Sequence, residues 1–169
     1  ASGIKSRYVI DKEGILDINR MKPRVNNEHP DRLSIHAEVG IKAAIKAMAQ
    51  AEVTADEIDA IILGSSHAAR NYPATAIEIQ KELGIKGYAY DMLVGCSSTT
   101  FAINNAYSDI ASGIANTILV INPEISTPAV NFTHRDKHFI FGDGCAATIV
   151  QKDSKSPKAF KIIDRKLHT

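Results

Sequence analysis

The sequence has few cysteines, little net charge and no long apolar run. Only two cysteines occur, Cys96 and Cys145, and neither belongs to a Cys-x-x-Cys pair. That spacing argues against a zinc site and against a disulfide framework, and favours reduced thiols in a cytoplasmic protein. The formal net charge is +1. No global field therefore draws the chain to nucleic acid or to an anionic membrane. No apolar run reaches the ~18 residues of a membrane span. The segment from Ala1 to Tyr8 is polar and has no signal-peptide apolar stretch. Internal repeats and low-complexity tracts are absent. What is present is ordinary globular composition, 44% hydrophobic and 23% charged over 169 residues, enough for one domain with one sizeable core.

Strands and helices alternate along the chain. A helix is predicted from about Asp31 to Ala51, because Leu33, Ala37, Ile41, Ala44, Ile45 and Met48 recur at helical spacing. Asp31 is its expected N-cap. Thr54-Ala-Asp-Glu57 has the form of a capping box opening a short helical turn. Ala60–Leu63 reads as a buried parallel strand, followed by a helix from Ala74 to Leu83 that Gly84 ends. A second strand, Ala89–Val94, runs into Gly95-Cys96-Ser97-Ser98 and a helix to about Ser112. Further strands are expected at Thr117–Ile121, Ala146–Val150 and Phe160–Ile163. Asp17–Pro30 reads as a loop, broken by prolines and asparagines. The aperiodic segment from Asn122 to His138 is a candidate interface or substrate loop. The alternation implies βαβ crossovers and a mostly parallel sheet covered by helices on both faces, an α/β architecture.

Cys96 is the candidate nucleophile. It is predicted to sit where a strand ends and a helix begins, and free N–H groups at a helix start favour a thiolate. Gly95 permits the sharp turn that aims the sulfur outward. A thiolate there can attack a thioester and hold the acyl group covalently. The competing reading is a small buried core cysteine. Cys145 is read as core packing. Gly142-Asp143-Gly144 suits a tight turn before a strand or a close backbone approach. The histidines show no metal-ligand spacing, and His134 and His138 are read as surface or loop residues. Arg135 is either a phosphate- or ring-binding cation or a solvated charge. Tyr72, before Pro73, is either pocket or interface lining or plain packing.

Taken together, these strings resemble β-ketoacyl-acyl-carrier-protein synthase III, a thiolase-like condensing enzyme family. Leu93-Val-Gly-Cys96-Ser-Ser-Thr-Thr resembles its nucleophile motif. Phe141-Gly-Asp-Gly-Cys-Ala-Ala resembles its Phe-Gly-Asp-Gly-Ala signature. His134-Arg135-Asp136 resembles an Asp-Arg-Gly segment, Tyr72-Pro-Ala-Thr-Ala a Phe-Pro-Ser-Ala segment, and Gly3-Ile-Lys-Ser-Arg a Thr-Gly-Ile-Arg-Glu-Arg segment. The five strings stand in register over nearly the whole chain.

The resemblance implies a three-layer thiolase-like fold, with residues 1–169 forming the N-terminal half and lacking the family's first strand. It implies that Cys96 takes an acyl primer from acyl-CoA and that malonyl-acyl-carrier protein then condenses with it. Arg135 would stack on the CoA adenine, and Tyr72 would close the primer pocket across a homodimer interface. Gly144 would lie in the loop supporting the active site. No cofactor, metal, nucleic acid or membrane partner is expected. The family's catalytic histidine and asparagine belong to a second half, so the chain as written is expected to be incomplete for condensation. His134 and Asp136 depart from the Asp-Arg-Gly pattern. Related cysteine condensing enzymes remain open as alternatives: the hydroxymethylglutaryl-CoA synthase, chalcone synthase and quinolone types. So does a non-catalytic dimerisation or binding module.

Overall fold

A computed structural model describes residues 3–10, 31–130, 139–154 and 156–168, together with the backbone of two short strands, β1 (Leu16–Asp17) and β2 (Lys22–Pro23). These two pair antiparallel, and except for Leu16 they fall in the segment Asp17–Pro30 expected to be loop. The main elements are α1 (Ile35–Ala51), β3 (Ala60–Ser65), α2 (Thr75–Leu83), β4 (Tyr88–Leu93), α3 (Ser98–Ala111), β5 (Thr117–Ile125) and β6 (Asp143–Gln151). They form a four-stranded mixed sheet in the order β4-β3-β5-β6. β3 is parallel to both β4 and β5, and β6 returns antiparallel along β5.

The sheet carries helices on both faces, as the alternation of elements implied. Side chains alternate along β3. Ile61 and Leu63 pack with Ala37 and Ala44 of α1 and Ala76 and Ile79 of α2. Ala60 and Ile62 face the other way, against Ala102 and Ala106 of α3. The chain steps from β3 out to β4, then back across β3 to β5. With right-handed crossovers, two steps in opposite directions put their helices on opposite faces. Ile118 to Ile121 of β5 are buried on both faces, so that strand reads as an uninterrupted apolar run.

Several boundaries differ from expectation for physical reasons. The N-cap of α1 is Ser34, not Asp31: its hydroxyl accepts from the Ala37 N–H at 3.1 Å. The Ser34 N–H donates to Glu78 Oε2 at 2.8 Å, fixing the start of α1 to α2. The capping box at Thr54 and Glu57 forms as predicted, on a single 3-10 turn. β5 runs on to Ile125, and β6 begins at Asp143, because Asn122 to Ile125 continue the ladder with residues 143 to 146. Gly144 is therefore a strand residue paired with Glu124, not part of the preceding loop. Phe160–Ile163 is not a strand; Phe160 and Ile163 lie in solvent, and only Ile162 packs on the α3 side of the core. No helix among the described residues is long and apolar enough to cross a membrane.

Candidate active site at the carboxyl ends of the parallel strands

Cys96, Tyr72 and Gly144 share one edge of the sheet. Cys96 follows the carboxyl end of β4, and Tyr72 lies in the connection that leaves the carboxyl end of β3. Gly144 pairs with Glu124 near the carboxyl end of β5. In open α/β sheets this edge is where ligands bind. The connection from Ile125 to Asp143 starts and ends at the same edge and contains His134, Arg135, Asp136 and His138. Those four lie outside the described residues.

Cys96 occupies the middle of a 3-10 turn, Gly95–Ser97, that joins β4 directly to α3. Gly95 has φ +57°, a left-handed conformation in which any other residue is strained. Nothing would obstruct a Cβ there, so the glycine answers a backbone need and not a crowding one. The turn leaves Cys96 exposed. This removes the reading of Cys96 as a core cysteine. Cys145 fits that reading instead. It packs partly buried against the α1 side of the core, and burial pushes its thiol up to about 12 despite a lowering backbone hydrogen bond at Asn122.

The first turn of α3 has no side-chain cap, because the Ser97 hydroxyl turns back to donate to the Val94 carbonyl at 2.9 Å. The free backbone N–H groups and the positive end of the helix dipole lie at the N-terminal end of α3, next to the turn that carries Cys96. Beneath them Gly64 of β3 lets α3 approach the sheet. A Cβ at Gly64 would lie 2.8 Å from the Ser98 carbonyl oxygen and 2.8 Å from Asn122 Nδ2. The Asn122 side chain donates to the Gly64 carbonyl at 3.1 Å in the buried interior.

The surrounding loops are tied down by carboxylates. Asp91 of β4 accepts from the Thr75 and Ala76 N–H groups, each at 2.8 Å, and so caps α2 from across the sheet. Asp143 accepts from the Ile10 N–H at 2.8 Å, the Thr127 N–H at 3.0 Å and the Thr127 hydroxyl at 2.5 Å. The aspartate of the Phe-Gly-Asp-Gly string thus ties the N-terminal segment, the β5–β6 connection and β6 together. Glu124 accepts from the Ser66 N–H at 2.6 Å. Arg70 pairs with Glu78 at 3.5 Å and donates to the Arg32 carbonyl at 2.7 Å, anchoring the connection that carries Tyr72. Tyr72 itself is 88% exposed.

One buried group carries only a weak sequence signal. His36, in the first turn of α1, is buried, and its ring meets the His67 ring edge-on at 5.1 Å. Burial, then the neighbouring His67, lowers its pKa from 6.5 to about 4, against a raising effect of Asp143. Only its place on the apolar stripe of α1, one residue before Ala37, could have marked it. A separate cavity of about 440 Å³ lies further along α3, lined by Asn104, Tyr107, Ile163, Asp164, Arg165 and Leu167. The Arg165 guanidinium lies 4.0 Å over the Tyr107 ring and donates to Asn104 and Ser108. That cavity holds no nucleophile and lies apart from Cys96.

Comparison with known proteins accords with this geometry. A sequence model of the family described as 3-Oxoacyl-[acyl-carrier-protein (ACP)] synthase III matches residues 90–169. The chain is 48% identical over its whole length to a β-ketodecanoyl-[acyl-carrier-protein] synthase of Pseudomonas aeruginosa, covering 49% of that protein. It is 38% identical over 68% of its length to a β-ketoacyl-[acyl-carrier-protein] synthase III of Rhizobium rhizogenes, covering 36% of that protein. The crystal structure of 3-oxoacyl-[acyl-carrier-protein] synthase III from Aquifex aeolicus superposes with a TM-score of 0.67 at 32% identity, over 77% of this chain and 41% of that one. The chain thus spans about half the length of the curated relative it matches throughout, and these likenesses support a partial thiolase-fold protein similar to the β-ketoacyl-acyl-carrier-protein synthase III enzymes.

Proposed function

We propose that the protein containing this chain is an acyltransferase that initiates acyl-chain synthesis by decarboxylative condensation. The observation that carries the reading is the exposed Cys96 on a glycine turn between β4 and α3, in a family of condensing enzymes. The Cys96 thiolate attacks the carbonyl of an acyl-CoA thioester and the CoA thiolate leaves, giving an acyl-cysteine. Malonyl-acyl-carrier protein then loses carbon dioxide. Its carbanion attacks the acyl-cysteine carbonyl, a carbon–carbon bond forms, and the Cys96 sulfur leaves with its electron pair. The product is a β-ketoacyl-acyl-carrier protein. The enolate of the second step needs preorganised donors. In this reading the family's histidine and asparagine supply them from outside residues 1–169.

The primer is an eight-carbon acyl group. The name of the relative matched over the whole chain specifies a β-ketodecanoyl product. Ten carbons less the two added from malonate leave eight. The exposed Tyr72 supports a homodimer in which each Tyr72 closes the primer pocket of the partner subunit. Arg135 stacks on the CoA adenine, and Gly144 backs the active-site edge. The enzyme works in the cytoplasm on its thioester substrates without a further cofactor. The names of the relatives favour carrier-protein-linked malonate over the hydroxymethylglutaryl-CoA, chalcone or quinolone chemistries, and favour catalysis over a binding module.

The test is intact mass of the full-length protein after incubation with octanoyl-CoA or acetyl-CoA, followed by malonyl-acyl-carrier protein. An octanoyl increment that is lost in Cys96→Ser and discharged by malonyl-acyl-carrier protein is the expected result. An increment that survives Cys96→Ser refutes the nucleophile, and faster loading from acetyl-CoA refutes the primer.

A further inference from the structure

We propose that Ser98 is a positioning residue for the acyl-transfer step, holding the turn that carries Cys96 through one buried hydroxyl. The proposal rests on Cys96 as the nucleophile. Ser98 is the first residue of α3 and is 2% exposed, whereas the neighbouring Ser97 is only partly buried and bonds locally. A hydroxyl removed from water costs stability unless it is hydrogen-bonded. Ser98 Oγ accepts the Val94 N–H at 2.8 Å. Its single proton lies between two carbonyls, those of Ser65 at 2.8 Å and Gly95 at 2.7 Å.

These three partners define the turn. Val94 is the residue after β4, Gly95 is the left-handed residue that reverses the chain, and Ser65 is the last residue of β3. One oxygen therefore joins the carboxyl ends of both adjacent parallel strands to the two residues that precede the sulfur. Ser65 is itself fixed, since its hydroxyl donates to the Pro123 carbonyl of β5 at 2.8 Å. The line of support runs from β5 through β3 to the nucleophile turn. Gly64 leaves room for it by letting the Ser98 backbone settle on the strand. An exposed sulfur on a three-residue turn has little packing of its own to hold it. Attack on a thioester needs the sulfur placed to within fractions of an ångström, and small displacements cost large factors in rate.

The test measures single-turnover loading of Cys96 by octanoyl-CoA in the full-length wild type, Ser98→Ala and Ser98→Thr, with peptide mapping of the acylated residue. Ser98→Ala is expected to lower the maximal loading rate about 10- to 100-fold while the half-saturating octanoyl-CoA concentration changes less than about threefold. Ser98→Thr keeps the hydroxyl and is expected to recover loading to within about threefold of wild type. The final stoichiometry of acylated Cys96 separates this role from a structural one. A merely structural loss lowers the number of chains that load and leaves the rate per loading chain unchanged. That result overturns the proposal, as does Ser98→Ala loading at the wild-type rate or Ser98→Thr loading as slowly as Ser98→Ala. Wild type acylated somewhere other than Cys96 sinks the nucleophile and this proposal together, and is visible without any variant. If Ser98→Ala does not fold, amide hydrogen exchange of the wild type decides. Val94 lies beyond β4, so protection of its amide supports the Ser98 hydrogen bond and free exchange overturns it.

Discussion

Acidifying the protein from pH 7 to pH 5 should remove stability through His36. His36 is 2% exposed, and neither ring nitrogen has a hydrogen-bond partner among the described residues. Protonation in the folded state would place a cation beside His67 in the core, and Asp143 offsets only part of that cost. The pKa is accordingly lowered from 6.5 to about 4. The sign follows from the depressed folded value. Stability from this group is fully present above pH 6.5 and is lost as pH falls toward 4, because the unfolded chain takes up the proton first. Between pH 7 and pH 5 the two values give a loss of about 2 kcal/mol. Urea unfolding of wild type and His36→Phe at several pH values measures it. Phenylalanine keeps a ring edge against His67 but cannot titrate. The stability difference between the two proteins should shift by about 2 kcal/mol toward the variant over that range. Parallel curves would show that His36 either stays neutral in both states or protonates equally in both.

Three further outcomes follow from the geometry. Iodoacetamide at pH 8 should label Cys96 and spare Cys145, whose thiolate fraction is about one in ten thousand at a pKa of about 12; comparable labelling of both in folded protein contradicts the burial of Cys145. Gly64→Ala should destabilise by about 1–3 kcal/mol in denaturant unfolding, since its methyl group meets the Ser98 backbone. An unchanged midpoint would mean that α3 can move off the sheet freely. Asp143→Ala should cost about 2 kcal/mol or more, because it strands the Ile10 and Thr127 donors together. Faster proteolysis of the N-terminal segment than in wild type should accompany the loss.

How much was legible depended on the range of the interaction. Helices α1, α2 and α3 and strands β3, β4 and β5 followed from periodicity and apolar runs, with Gly84 and Gly113 ending α2 and α3, which are local signals. The errors arose where a partner distant in sequence decides. Asp31 is a good cap residue, but Ser34 is held in place by Glu78, 44 residues away. Helix α2 begins at Thr75 with its cap supplied by Asp91. Phe160–Ile163 has strand composition, yet a strand needs a paired neighbour, and neither edge strand, β4 or β6, pairs with it. Asp143-Gly144 carries a turn signal, whereas the register of Gly144 opposite Glu124 makes it strand.

Local pattern specified the layered α/β architecture and the strand–turn–helix around Cys96, and five strings in register carried the resemblance to the β-ketoacyl-acyl-carrier-protein synthase III family. These depend on residues close together along the chain, where side-chain period and glycine φ act directly. Which cysteine faces solvent, the burial of His36 against His67, and the link that one Ser98 hydroxyl makes from the ends of β3 and β4 to the nucleophile turn came from the packing of distant elements. Each of these depends on which surfaces the sheet brings together, and burial or exposure of one side chain is settled by neighbours that local pattern does not specify.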